Sequence, residues 1–347
     1  MGVFQPPVRF RGERERPVKF QYHNPIQFSF GPNVLDQLPE ICRGKKVLLV
    51  YGGGSIKKNG VYDRITTLLR EAGIAFGAVH DHLEDYIEGR VQSDGRHLLN
   101  IVIPTYPSTG SEANGVCDIM EYKGYGTELF GAWPDHCLMA PSVTLSPNKR
   151  STVYSVLGCF VQTGAWFLGN QENDIAKGFA KTVLRVLLES CEALLRDPKD
   201  LRARGNVMWA SCVNTMGVFR SGVDQSYPWT VFSVGYIPRA AHRVPYREAL
   251  VIAYLHWLKG AAKYHMADIR ALFTEVFGVD AALEDAAIVE AGCSRLRALM
   301  EAGGVDTTLA PYGACPTMDY VKKSLAKEDY GEFTPEELYG MIAACYA

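Results

Sequence analysis

The sequence has almost no net charge, because 36 lysines and arginines are balanced by 38 aspartates and glutamates, leaving −2 over 347 residues. It has no stripe of basic residues and no run of charges of one sign. Such features are typical of proteins that bind nucleic acid or anionic membranes. No apolar run approaches the ~20 residues of a membrane-spanning helix. No apolar signal region follows the charged stretch Arg9–Pro17. We therefore predict a cytoplasmic protein with neither nucleic acid nor a membrane as partner.

The nine cysteines are odd in number and form no Cys-x-x-Cys pair. This pattern excludes a complete disulfide framework and a zinc ribbon, so we expect most of the thiols to be reduced and buried. The chain is 47% hydrophobic and 21% charged, as in ordinary globular proteins. At ~150 residues per domain, its length predicts two domains that each bury a core.

The first part of the chain shows the patterns of strands. Residues 1–18 are rich in proline and arginine without periodicity, and they are predicted to form a flexible arm. Apolar residues then alternate with polar ones from Ile26 to Phe30, which predicts a strand. The continuous apolar run Lys46–Tyr51 predicts a second strand, buried on both faces.

A βαβ unit of the nucleotide-binding type is predicted to begin at this second strand. It comprises the glycine-rich turn Gly52–Ser55, a helix over Tyr62–Ala72 and a strand over Ile74–Val79. The stretch His80–Asn100 is polar and contains no second glycine-rich turn. Residues 19–145 are therefore predicted to be a truncated, doubly wound α/β domain with a mainly parallel sheet.

From Ser146 onward the apolar residues recur at helical spacing, so residues 146–347 are predicted to form an all-α domain. Asp197-Pro198 marks one clear break between helices. The predicted helices are Val153–Leu168, Ile175–Leu195, Leu201–Met216, Tyr246–Tyr264, Met266–Phe277, Ala286–Ala302 and Met318–Lys327.

Three blocks of sequence carry a resemblance to a known family. They are Lys46–Gly60, Thr105–Asn114 and Asp197–Ala210. Together and in this order, they resemble the iron-type (group III) alcohol dehydrogenases of the dehydroquinate synthase-like superfamily. The resemblance implies an N-terminal nucleotide-binding domain, a C-terminal helical domain and an active site in the cleft between them. It also implies NAD(P) in the first domain, and iron or zinc held by one Asp and three His of the second.

The chain departs from that family at the metal ligands. Alignment on the family pattern places Gly158 and Gln162 where the Asp and the first His are expected. Tyr236 and Tyr246 take the positions of the other two His, and Phe232 replaces a further one. One nearby imidazole, His242, does not make a tetrahedral site. We therefore predict that no metal is bound at these positions.

Another candidate metal site has weaker support. His80 and His82 would face the same side of a strand, and His97 is near them in sequence, but no fourth ligand is apparent.

The family's cofactor loop is also missing. The family rests the pyrophosphate on a second Gly-Gly-Gly-Ser turn before a helix, and this chain lacks that turn. We therefore predict no cofactor. The residues that retain the family pattern near the cofactor, as vestigial or anion-binding positions, are Gly52, Gly53, Gly54, Ser55, Thr109 and Ser111. The alternatives are a tight turn with positive φ at Gly52–Ser55 and a helix cap at Thr109–Glu112.

The leading hypothesis is a degenerate member of the family. It would act on a small molecule in the interdomain cleft, without metal or NAD(P), in specialised metabolism. The candidate catalytic residues are Tyr236, Tyr246, His242, Gln162 and Glu112. Tyr236 and Tyr246 have a simpler explanation as rings that fill the volume of the lost site. Arg239, Arg243 and Arg247 recur every four residues, which indicates either a solvated face or the binding of a carboxylate or phosphate.

Two other hypotheses remain open. The second hypothesis is a non-catalytic partner of another enzyme, because the strand Ile26–Phe30 resembles the family's intersubunit strand. We expect either a homodimer or a hetero-oligomer. Alternatively, the chain is an ordinary NAD(P)-dependent, metal-containing oxidoreductase. Elemental analysis and NADH titration distinguish this last hypothesis from the first.

Overall fold

The computed structural model has strands in its first part and helices in its second. It describes residues 23–51, 54–79, 98–122, 125–130, 133–169, 173–220, 230–326 and 331–347. The histidines at positions 80, 82 and 97, the N-terminal arm and two glycines of the first glycine-rich turn lie outside these ranges.

The first part contains parallel strands, as the sequence predicted, but within the described residues they form two small sheets instead of one. Strands β1 (Gln27–Phe30), β4 (Ile101–Val102) and β7 (His136–Met139) form one sheet in the order β1-β7-β4. Strands β2 (Val47–Val50) and β3 (Phe76–Val79) form the other. A parallel pair requires a crossover connection, and helix α3 supplies it between β2 and β3.

Short helices and one hairpin complete this part. The helices are α1 (Leu38–Ile41), α2 (Ser55–Lys58) and α3 (Val61–Glu71). The antiparallel strands β5 (Val116–Tyr122) and β6 (Tyr125–Phe130) form a hairpin that the sequence analysis did not predict.

Strand β2 differs from its prediction. It was expected to be buried on both faces, but Leu48 and Val50 are 59% and 63% exposed. Val47 and Leu49 instead pack against the cluster that includes Ile65 of α3. The reason is that α3 covers one face of the β2–β3 pair, so apolar residues on the opposite face remain in contact with solvent.

The second part is helical, as predicted. Its helices are α4 (Lys149–Gly169), α5 (Asp174–Arg196), α6 (Leu201–Thr215), α7 (Thr230–His242), α8 (Tyr246–Ala271), α9 (Asp285–Ala302), α10 (Met318–Leu325) and α11 (Pro335–Ala344). The two predicted helices over Tyr246–Phe277 form one long helix with a kink at His265, followed by a π-helical turn over Leu272–Val276.

Two hydrophobic clusters form the core of the described residues. The larger lies among the C-terminal helices, and α8 contributes the fully buried Tyr254 and Trp257 to it. The smaller lies under the strands, and α6 contributes Met208 and Cys212 to it. Helix α6 therefore joins the two parts of the molecule, while the domain boundary near residue 145 stays a prediction.

The eight cysteines whose side chains are described are free, and seven of them are buried. No helix within the described residues is long and apolar enough to span a membrane.

Candidate functional site

A cleft of about 630 Å³ lies where α2, the loop after β4, the start of α4 and the start of α8 meet. Parallel strands direct the loops at their carboxyl ends toward one edge of a sheet, where binding sites of α/β proteins commonly lie. Charged and polar side chains that line the cleft include Lys58, Tyr106, Ser151, Tyr246, Arg247 and Glu248.

Arg247 is the most constrained of these side chains. Its Nε donates a hydrogen bond to Ser108 Oγ at 2.5 Å, and its guanidinium carbon lies 4.0 Å from the centroid of the Tyr106 ring. The Tyr106 hydroxyl in turn donates to the Ser151 carbonyl at 2.5 Å, which fixes the ring. Burial lowers the pKa of Arg247, but a guanidinium remains protonated at neutral pH. The side chain is therefore a fixed positive charge at the cleft.

The three arginines spaced by four residues do not share a solvated face, so that interpretation was wrong for Arg247. Arg243 is exposed and adopts a positive φ of 54° just before α8. The guanidinium of Arg239 lies 5.7 Å from the Tyr246 ring centroid. The reason for the difference is that Pro245 and the turn at Arg243 interrupt the helical periodicity.

Glu248 lines the same cleft and belongs to a network of charges. It accepts hydrogen bonds from the Tyr312 hydroxyl and, at 3.3 Å, from Arg150 Nη2. Arg150 also pairs with Asp306 at 2.5 Å. Burial raises the pKa of Glu248 above its ordinary value, although the Arg150 charge opposes that effect. Glu248 is thus a positioned carboxyl group whose pKa is displaced toward neutrality.

The positions expected to hold the family's metal ligands carry different groups. A Cβ atom added to Gly158 would lie 3.1 Å from Ser108 Oγ and 3.9 Å from Arg247 Cγ. One turn later on α4, Gln162 Oε1 is buried without a hydrogen-bond partner among the described residues. The Tyr236 ring lies between two other rings, with centroids 6.1 Å from Phe232 and 5.6 Å from Tyr246.

Four of the five predicted catalytic residues do not line this cleft: Gln162, Tyr236, His242 and Glu112. His242 lies at the end of α7, where its Nε2 is 2.6 Å from the Ala314 carbonyl and its ring packs on Tyr346. Glu112 is 8% exposed and accepts hydrogen bonds from Ser211 Oγ at 3.3 Å and Cys212 Sγ at 3.4 Å. Burial raises the pKa of Glu112.

The predicted cofactor-binding residues are also separated. Ser55 begins α2 and lines the cleft, and Gly54 before it has a φ of −68°, so the expected positive φ is absent there. Gly52 and Gly53 lie outside the described residues. The Thr109 and Ser111 hydroxyls bond to each other at 3.0 Å. Neither side chain caps the short 3₁₀ helix that begins at Ser111.

Of the predicted site residues, the described cleft lining therefore brings together Tyr246 and Ser55. Sequence reasoning missed Lys58, Tyr106, Ser151 and Glu248. The sequence contained a signal for Tyr106, because this residue lies in the Thr105–Asn114 block that retains the family pattern. Glu248 also had a signal, since it is an acidic residue in the first turn of a predicted helix.

Comparison with known proteins gives the family of the chain. The model of the C-terminal region of the Fe-containing alcohol dehydrogenase family matches residues 155–329, which is half of the chain. The chain belongs to the iron-containing alcohol dehydrogenase family.

Similar members of this family have names that describe nicotinamide-dependent reactions. The probable NADH-dependent butanol dehydrogenase 2 of Bacillus subtilis is 24% identical, over 84% of this chain and 88% of its own length. The NADPH-dependent aldehyde reductase YqhD of Escherichia coli is 24% identical, over 85% of this chain and 89% of its own length.

Solved structures of the iron-containing alcohol dehydrogenase type share the fold. The NADH-dependent butanol dehydrogenase A of Thermotoga maritima superposes with a TM-score of 0.82 at 19% identity, covering 95% of this chain and 99% of the other. Escherichia coli YqhD superposes with a TM-score of 0.82 at 20% identity, covering 94% and 99%. These comparisons establish the two-part architecture.

The iron that gives this family its name does not fit the described residues at the positions where the resemblance implies its ligands. Within the described ranges, no group of three or more His, Cys, Asp or Glu side chains is close enough to hold a metal ion. The aligned positions offer one amide oxygen at Gln162 and two phenols, and glycine at 158 offers no donor. Iron and zinc sites use imidazole, thiolate and carboxylate ligands. The donor set therefore disagrees with the family's metal.

Proposed function

We propose that this family member acts on a small molecule in the cleft by proton transfer, without a resident metal or a dinucleotide. The observation that carries the proposal is the composition of the cleft. Tyr246, Arg247 and Glu248 follow one another at the start of α8 and all line the cleft. A phenol, a fixed cation and a carboxyl group are the components of general acid–base catalysis and charge stabilisation.

The altered ligand positions support independence from metal. In metal-dependent alcohol oxidation, the ion lowers the pKa of the alcohol oxygen so that hydride leaves the carbon. Here Gly158 lies against Ser108 and Arg247, and the rings of Tyr236 and Tyr246 pack together where the resemblance implies the later ligands. The positive charge near the lost Asp position is thus a guanidinium, which stabilises an anion but does not bind an alkoxide as a Lewis acid.

The cofactor residues support independence from dinucleotide. The second glycine-rich turn of the family is absent from the sequence. The loop that retains the family pattern directs Glu112 into the interior, and its Thr109 and Ser111 hydroxyls bond each other. No step of the proposed chemistry requires a hydride acceptor, because proton transfer leaves the oxidation state of the substrate unchanged.

The open cleft favours an enzyme over a non-catalytic partner. Tyr236 packs between Phe232 and Tyr246, and only Tyr246 of these three rings lines the cleft, which retains about 630 Å³. A cavity of this size suits a small molecule.

The oligomer belongs to the same proposal: β1 is an edge strand and Phe30 at its end is 51% exposed. We propose a homodimer that pairs through this edge, with a hetero-oligomer as the alternative.

Elemental analysis and titration with NADH and NADPH test the proposal. We expect iron and zinc well below one equivalent per chain and no change in nicotinamide fluorescence at micromolar protein. Escherichia coli YqhD, titrated with NADPH under the same conditions, is the positive control. Stoichiometric iron or zinc together with micromolar dinucleotide binding would overturn the proposal and favour an NAD(P)-dependent alcohol or aldehyde oxidoreductase.

A further inference from the structure

We infer that the molecule bound in this cleft carries a carboxylate or phosphate group, and that Arg247 binds that group. The inference deepens the proposed function and rests on it for the cleft being the substrate site. It depends on how Arg247 is held, on the charges around it and on the loss of the carboxylate expected at position 158.

Arg247 lacks an anionic partner among the residues that the structure describes. Its one hydrogen bond to a described residue uses Nε and goes to the neutral hydroxyl of Ser108. The two terminal nitrogens make no ion pair with a described carboxylate. A guanidinium presents paired N–H groups that match the two oxygens of a carboxylate or phosphate. The unused edge of Arg247 is therefore suited to a bound oxyanion.

The side chain is held in place before any ligand arrives. The Tyr106 ring lies 4.0 Å from the guanidinium carbon on one side, and Ser108 fixes Nε. Tyr106 is itself tied to the Ser151 carbonyl. A guanidinium fixed by a ring and a hydrogen bond loses less rotamer freedom on binding than a mobile one. This arrangement favours recognition of a specific group over loose attraction of anions.

The neighbouring charges leave the cleft positive. Lys58 lines the cleft and has no ion-pair partner among the described residues. The one described carboxylate that lines the cleft, Glu248, receives hydrogen bonds from both Arg150 and Tyr312. Its charge is therefore compensated inside the protein, while those of Arg247 and Lys58 remain for a ligand.

Position 158 explains why this cation is free. An aspartate there, as the family resemblance implies, would begin 3.9 Å from Arg247 Cγ. Its carboxylate would compete with any external anion for the guanidinium. Glycine at position 158 therefore has two consequences: the metal ligand implied by the resemblance is absent, and the Arg247 guanidinium has no carboxylate beside it at this position.

Titration calorimetry of the full-length chain with inorganic phosphate and with malonate tests the inference and distinguishes the two anions. At low ionic strength we expect wild-type protein to bind at least one of the probes. In Arg247→Gln the affinity is expected to fall at least about tenfold, the usual worth of a charge-assisted pair. The matched control is Arg243→Gln, which removes an exposed arginine four residues earlier and should bind like wild type.

Two further measurements guard against a variant that fails to fold. Arg247→Lys keeps the charge without the planar fork, and its affinity should lie between those of wild type and Arg247→Gln. In the wild-type chain, phenylglyoxal modifies accessible arginines, and phosphate or malonate should protect Arg247 while leaving Arg243 reactive. Equal affinity in all variants, no binding of either probe, or no protection of Arg247 would overturn the inference.

The inference and the proposed function fail separately. If the same preparation contains stoichiometric metal and binds NADH while Arg247→Gln loses the anion, the proposed function is wrong and the anion site stands. If metal and dinucleotide are absent while the anion binds equally to all variants, the proposed function stands and the substrate class is wrong.

Discussion

Two ionisable side chains lie at the two ends of the loop Ser108–Glu112, and neither has a counter-charge among the described residues. Arg247 contacts Ser108 at one end, and Glu112 is the residue at the other. Glu112 is buried against α6, where Ser211 Oγ and Cys212 Sγ donate hydrogen bonds to its carboxyl group. Arg247 borders the cleft and donates to Ser108. Burial favours the neutral form of both groups. Only the carboxyl group can adopt it near neutral pH, because a guanidinium remains protonated there.

The difference shows which charge is available to a ligand. Burial raises the pKa of Glu112, and the neutral form that this favours needs no partner of opposite charge. Arg247 keeps its charge and borders solvent, where an anion reaches it. The comparison therefore favours Arg247 over Glu112 as a group that meets the substrate, although both belong to the same loop contact.

Gly158→Asp should make the charge of Arg247 unavailable to a ligand, and it has the largest expected effect on anion affinity. The new carboxylate would supply the counter-charge that Arg247 lacks, so phosphate and malonate affinity should fall at least about tenfold. It should restore neither iron nor zinc, because Gln162 and the two tyrosines remain.

Gly158→Ala is the matched control, measured by the same calorimetry. It adds the same Cβ, 3.1 Å from Ser108 Oγ, without the charge. Its anion affinity should stay within about threefold of wild type, since only small packing adjustments are required. Wild-type affinity in Gly158→Asp would contradict the assignment of the anion to Arg247.

Glu112→Gln should sharpen the comparison through its pH dependence. The folded state holds a proton that the unfolded chain releases above the ordinary glutamate pKa of about 4.3. The stabilisation from that proton is complete below this pKa and is lost as pH rises through the raised pKa of Glu112. The loss is about 1.4 kcal/mol for each unit by which the pKa is raised. Glu112→Gln removes this dependence.

Urea unfolding between pH 4 and pH 8 measures the effect. The unfolding free energy of wild type should decline relative to that of Glu112→Gln as pH rises. Glu71→Gln, which changes an exposed glutamate at the end of α3, should follow wild type. Parallel profiles for wild type and Glu112→Gln would show that Glu112 is ionised in the folded state.

The sequence allowed the helices to be predicted more completely than the strands. Long amphipathic repeats such as those of α5 have a periodicity that needs no tertiary information. Helices α7 and α11 were missed, although Thr334 and Glu337 form a capping box at the start of α11, a signal that the sequence does contain. The exposure of Leu48 was not predictable in this way, because it depends on what covers the second face of β2.

The candidate site also has a part that the sequence predicts and a part that it does not. The predicted loss of metal ligands at Gly158 and Gln162 rests on a resemblance to a family pattern, which requires only order along the chain. The environment of Arg247 did not follow, because its contacts with Ser108 and Tyr106 join residues about 140 positions apart. A spacing of four among arginines carries no information about such contacts, so it left open whether Arg247 lies on a solvated face or binds a carboxylate or phosphate.

Ser108→Ala tests whether the loop that carries Glu112 also positions Arg247. Of the variants, it has the smallest expected effect on anion affinity. The Ser108 hydroxyl accepts from Arg247 Nε, while its backbone N–H donates to Ser211 Oγ at 3.1 Å. Removing the hydroxyl leaves Arg247 charged but less constrained. The expected cost is about 1 kcal/mol of anion affinity, or roughly fivefold, as for one hydrogen bond.

A double-mutant cycle with Arg247→Gln separates positioning from direct contact. If Ser108 acts by orienting Arg247, Ser108→Ala should weaken anion binding in the wild-type background and have no further effect once Arg247 is glutamine. The backbone bond to Ser211 is retained in both backgrounds, so a loss of fold would instead appear as a lower urea midpoint. An equal loss of affinity in both backgrounds would mean that Ser108 itself contacts the anion, and that the loop does not position the guanidinium.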